Sequence, residues 1–128
     1  MKLNTVAAMA AMLLAALTPG LAMAHPKLVS ATPAADAQVK AMKAVKLTFS
    51  EKLTPKLSSA TLTMTGMPGM TNHPDMKMPG VSSAVGPDSK SIVLTMAKPL
   101  PAGTYRVDWV IVGSDTHRIT GKHSFTVS

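Results

Sequence analysis

The chain has 128 residues, a formal net charge of +7, ten prolines, eleven methionines and no cysteine. Without cysteine there is no disulfide framework, thiolate metal site or cysteine nucleophile, an absence that suits an oxidising compartment. A chain this short builds one core, which excludes multidomain enzymes, nucleotide-driven motors and membrane carriers.

In chain order, residues 1–24 carry one charge, Lys2, then an apolar run over Ala7–Leu17, a Thr18-Pro19-Gly20 break and Ala22-Met23-Ala24. This is the pattern of a secretory signal peptide cut after Ala24. The apolar run falls short of the ~20 residues that a membrane-spanning helix needs. The expected product is an exported, non-spanning domain over 25–128.

Past residue 24, short β-type runs alternate with Pro, Gly and Asp punctuation. Lys27–Ala31 opens. Val45–Phe49, Ala60–Met64 and Ile92–Met96 each alternate apolar with polar or small residues. Gly103–Val112 is the longest run, with Tyr105, Val107, Trp109 and Ile111 on one face, and Gly121–Val127 closes with His123, Phe125 and Val127 sharing a face. Period-2 alternation in β-branched and aromatic residues marks half-buried strands. The expected fold is all-β, a single sandwich or small barrel of about seven strands. Asp36–Lys43 is expected to hold at most one helical turn.

The stretch Gly66–Gly80 stands apart. Three prolines and three glycines exclude a helix and a central strand, leaving a long loop of the kind that is functional or disordered. Of the seven methionines after residue 24, five lie between 64 and 78, at Met64, Met67, Met70, Met76 and Met78, around His73. Thioethers are soft, uncharged ligands that suit Cu(I) where thiolates are absent. The plainer alternative is a loop that packs on a sheet with Met as adaptable filler. Met64 ends a run on the Leu62 face and reads equally well as core; Met42 and Met96 read as packing.

Cleavage after Ala24 would expose His25 as the first residue, its α-amine and imidazole able to chelate one ion as both deprotonate near neutral pH. Pro26 has no amide proton to lose, so Cu(II) at His25 must find further ligands elsewhere. Asp115 and His117 alternate just beyond the longest strand, and with His25 they would make a tetragonal N/O set that favours Cu(II); the plainer alternative is a frayed terminus beside an ordinary turn. His123, on a core-facing strand position, reads as structural.

Together, His25-Pro26-Lys27-Leu28, Met64-x-x-Met67-Pro-Gly-Met70 and Gly-Thr-Tyr105-Arg-Val-Asp-Trp109 leading to Ser114-Asp115-Thr-His117 resemble the CopC/PcoC family of periplasmic copper-resistance proteins. The resemblance implies an immunoglobulin-like Greek-key sandwich with two copper sites at opposite ends. Cu(II) would be held by His25, Asp115 and His117, and Cu(I) by a subset of Met64, Met67, Met70, His73, Met76 and Met78. Two details depart from the family pattern: His73 falls three residues after Met-Pro-Gly-Met rather than two, and Met78 is an extra thioether. His123 stands where that pattern has an apolar residue.

The function expected is a copper carrier or buffer for copper resistance and homeostasis, with copper ions and a membrane copper transporter or another periplasmic copper protein as partners. No nucleophile–base constellation suggests a hydrolase. The enzymatic alternative is a copper monooxygenase with an N-terminal His, which needs an open position for oxygen and an aromatic substrate surface. A metal-free adhesion module explains the sandwich but neither the methionines nor His25. Lysines scattered singly from Lys27 to Lys122 lack the concentrated patch of a nucleic-acid binder.

Overall fold

A computed structural model describes residues 25–128; the expected signal peptide lies outside the described residues. Nine strands form two sheets. They are β1 (Leu28–Thr32), β2 (Gln38–Val39), β3 (Ala44–Phe49), β4 (Ser59–Gly66), β5 (Met76–Lys77), β6 (Val81–Val85), β7 (Ser91–Met96), β8 (Gly103–Val112) and β9 (Arg118–Val127). One sheet has the order β1-β3-β7-β6 and the other β2-β9-β8-β4-β5. All pairings are antiparallel except β2 with β9. The non-consecutive neighbours β3–β7 and β4–β8 give the connectivity of a Greek-key sandwich.

The six β-type runs all appear as strands with ends within two residues of those expected, except that β9 begins three residues earlier than its run. Seven strands have five or more residues. One of these, β6, is a small-residue edge strand (VSSAV) whose composition carries no core signal. In place of the helical turn expected within Asp36–Lys43, the chain makes a tight turn that ends at Asp36 and then runs into the short strand β2. There Asp36 donates its N–H to Ser124 O and Ala37 accepts from Thr126 N, so the free edge of β9 claims this backbone. The one short helical segment among the described residues is a 3-10 turn at Pro55–Leu57.

Alternate residues of both sheets meet in one core: Val45, Leu47 and Phe49 from β3, Ile92 and Leu94 from β7, Leu62 from β4, and Tyr105, Val107 and Phe125 from the β8–β9 pair. Burying each of the larger of these side chains contributes about 1.5–3 kcal/mol. Tyr105 stacks on Phe125 with centroids 5.6 Å apart, and its hydroxyl donates to Pro101 O at 2.6 Å. Trp109 packs edge-on to Phe49 and lies opposite Gly121. A Cβ on Gly121 would sit 2.1 Å from the indole, so only glycine leaves the ring its place. His123 is buried with Nε2 2.8 Å from Pro33 O, a hydrogen bond that accounts for its imidazole inside the core.

Candidate metal centre

The long hairpin β8–β9 reaches past the core at one end and turns through Gly113–His117. Gly113 bridges to Leu53, and a Cβ there would lie 2.8 Å from Pro26 Cγ. The bare glycine therefore lets the buried ring of Pro26 pack onto the turn. Lys27 holds the same segment by donating its N–H to Ser50 Oγ and accepting from Ser50 N. The chain before β1 is thus pinned against the hairpin tip, and His25 lands beside it.

Within the tip, Thr116 takes a positive φ of 66° and donates its N–H to Gly113 O. Asp115 Oδ1 accepts the His117 N–H at 3.2 Å. Asp115 Oδ2 then lies 2.7 Å from His25 Nδ1 and 3.2 Å from His117 Nδ1. The imidazole centroids are 5.2 Å apart with the rings tilted by 52°. One ligand atom from each of the three residues falls within 4.8 Å of the others. Asp115 is the inner member, 11% exposed against 59% and 69% for the two histidine side chains. Burial alone would raise its carboxyl, but the His117 backbone N–H, the His117 ring and the His25 ring outweigh it and hold the group below the ordinary carboxylate value. A cation entering here displaces protons from between atoms that already face one another.

At the other end of β4, the methionine loop is built by backbone geometry. Met67-Pro68-Gly69-Met70 is a β-turn: Met70 donates its N–H to Met67 O at 3.2 Å, and Gly69 has a φ of +77°. Glycine third supplies the positive φ that such a turn needs and proline second is favoured, and its closure brings the backbones of Met67 and Met70 together. The loop then returns along β4, with Met76 opposite Met64 and Lys77 opposite Thr63. This short edge strand went unseen in the sequence because Pro74 and Pro79 flank it. Met67, Met70 and Met76 are 42%, 52% and 46% exposed, whereas Met64 is 2% exposed. Met64 therefore belongs to the core, its methyl against Gly103, apart from the exposed thioethers. Met78 is half-buried against the core, as Met42 is, and Met96 is buried. His73 is half-buried, with an Nδ1 that is enclosed yet has no hydrogen-bond partner.

A CopC domain model matches residues 28–128. The chain belongs to the CopC family. It is 56% identical over 106 residues to Copper resistance protein C of Escherichia coli, covering 83% of each chain. To Copper resistance protein C of Pseudomonas syringae pv. tomato it is 50% identical over 111 residues, covering 87% of this chain and 86% of the relative. Among solved structures it is similar to PcoC, a methionine rich copper resistance protein from Escherichia coli, with a TM-score of 0.75 and 52% identity over 82% of this chain and all of that one. CopC from Methylosinus trichosporium OB3b is more distant, with a TM-score of 0.64 and 29% identity over 81% and 94% of the two chains. This CopC-family chain joins a two-sheet sandwich to a His/Asp/His cluster at one end and a thioether loop at the other. Among the described residues no helix is long and apolar enough to cross a membrane.

The contacts that position these sites leave no mark in the sequence. Nothing in the spacing of Pro26 and Gly113 announces that they touch. Arg106 and Asp108, alternating outward on β8, draw attention only once the loop residue Asp75 is seen bonded to Arg106.

Proposed function

We propose that this chain is an exported copper-binding protein of copper resistance and homeostasis, not an enzyme, which holds copper as cargo and passes it on. The observation that carries the reading is Asp115 Oδ2 set between His25 Nδ1 and His117 Nδ1. Two imidazoles and a carboxylate, with the α-amine that cleavage after Ala24 would free, form the N/O set that Cu(II) prefers. With copper bound, Asp115 would take up a position that an oxygen-activating centre keeps open, which speaks for storage over turnover.

Cu(I) is assigned to the loop, held by thioethers drawn from Met67, Met70, Met76 and Met78 together with His73. Support comes from the exposure of Met67, Met70 and Met76, from the turn that closes between Met67 and Met70, and from the unpartnered His73 nitrogen. Exposed thioethers exchange one at a time, which fits delivery to a membrane copper transporter or to another periplasmic copper protein.

The test is electron paramagnetic resonance of Cu(II) on protein beginning at His25, beside protein with one alanine added before it. A nitrogen-rich tetragonal signal that the added alanine abolishes or reshapes is expected. Identical spectra would remove the α-amine from the site and refute the dependence on processing.

A further inference from the structure

The methionine loop carries one hard ligand of its own. Asp75 lies between His73 and Met76, two residues from the imidazole and one from a thioether. An imidazole and a carboxylate this close form an N/O pair that would favour Cu(II) or Zn(II) over Cu(I). The structure shows where that carboxylate goes. Asp75 Oδ2 lies 3.0 Å from Arg106 Nη1, while Arg106 Nε reaches both oxygens of Asp108 at 3.0 Å.

Arg106 stands between the buried Tyr105 and Val107 of β8, so its side chain lies on the outer face of the sheet. Across that face it pairs with Thr63, which in turn pairs with Lys77. Asp108, two residues along the same face, fixes the guanidinium plane. Asp75 is therefore drawn to the outer face of the sheet by a cation that is already anchored.

We propose that Arg106, oriented by Asp108, is a specificity-determining positioning residue that withholds the Asp75 carboxylate from the methionine loop. The loop is left with a soft, uncharged donor set. This rests on the assignment of Cu(I) to the loop, and it adds the means by which divalent ions are refused there. The pair is partly exposed, with side chains 26% and 56% accessible, so its effect is of the order of one surface ion pair, about fivefold in an equilibrium.

The test titrates Cu(II) beyond the first equivalent into the protein beginning at His25, with wild type, Arg106→Gln and the double variant Arg106→Gln/Asp75→Asn compared by paramagnetic resonance and competition. Cu(I) is titrated into the same three proteins. In Arg106→Gln the second Cu(II) is expected to bind about fivefold more tightly than in wild type, with Cu(I) affinity changed less than threefold. Restoring the weak second binding by Asp75→Asn supports the proposal, because loss of one positive charge would act with or without Asp75. Unchanged second-equivalent binding in Arg106→Gln, or tightening that survives in the double variant, overturns it. Wild type that takes no Cu(I) on the loop overturns the underlying assignment, a result read independently of the Cu(II) comparison.

Discussion

The two ends of this sandwich hold their candidate ligands in opposite ways. At the hairpin tip, His25, Asp115 and His117 are already joined by hydrogen bonds through one carboxylate oxygen. At the methionine loop the thioethers, weak acceptors at best, have no strong bonds to make, and their arrangement comes from a Pro-Gly turn and a two-residue edge strand. Charged and polar ligands must be satisfied before the metal arrives, and the bonds that satisfy them also aim them. Soft ligands can wait in solvent unpaired, so their scaffold is the backbone.

The largest separation of the two ends is expected from Asp115→Ala. Removing the shared carboxylate should cost at least about 100-fold in Cu(II) affinity and leave Cu(I) binding within twofold, measured by competition titration with chelators specific for each state. A loss of both would show that the ends are not independent.

Gly113→Ala probes the tip through packing alone. Its Cβ would meet the Pro26 ring at 2.8 Å, forcing His25 away from His117. Cu(II) affinity should fall about tenfold, and the metal-free fold should lose about 1–3 kcal/mol in denaturant unfolding. A variant that binds Cu(II) like wild type would show that the Pro26 contact does not position His25.

Met70→Leu replaces a thioether by an apolar side chain of similar size at an exposed position. Cu(I) affinity should fall several-fold, with stability within about 0.5 kcal/mol of wild type and Cu(II) unchanged. Unaltered Cu(I) affinity would take Met70 out of the ligand set.

The smallest effect is expected in acid, on the metal-free protein. Asp88 is held below the ordinary carboxylate value by the Lys90 backbone N–H and then by the Ser91 hydroxyl, in the turn between β6 and β7. Asp115 is held low as well. A carboxyl depressed by folding stabilises above its unfolded value, and that contribution is lost as pH falls through the folded one. The melting temperature should therefore respond to these groups only below about pH 4, and Asp88→Asn should flatten that acid limb. An acid limb identical in Asp88→Asn and wild type would show that the turn carboxylate does not contribute.

Alternation in β3, β4, β7, β8 and β9 was visible because one face of each strand is packed and the other wet, so period 2 is written in the residues. The edge strands β2, β5 and β6 bury little, and their sequences carry no such record. The candidate metal ligands were legible for a different reason. His25, Asp115, His117 and the loop methionines are chemically unusual for where they stand in the chain, since exposed thioethers such as Met67, Met70 and Met76 and a histidine just after the expected cleavage point call for a purpose other than packing. Met64 shows the limit, because its chemistry matches the loop while its position, opposite Tyr105, puts it in the core.

By itself the sequence determined the strand class and the order of the candidate soft and hard donors along the chain, because composition and short-range periodicity are local properties. Only the tertiary structure decided that Pro26 rests on Gly113, that Asp115 lies between two imidazoles 92 residues apart in the chain, and that Arg106 holds Asp75 on the outer face. Those contacts join residues distant in the chain. Each is fixed by how two sheets with a shared core bring their ends together, which no local pattern records.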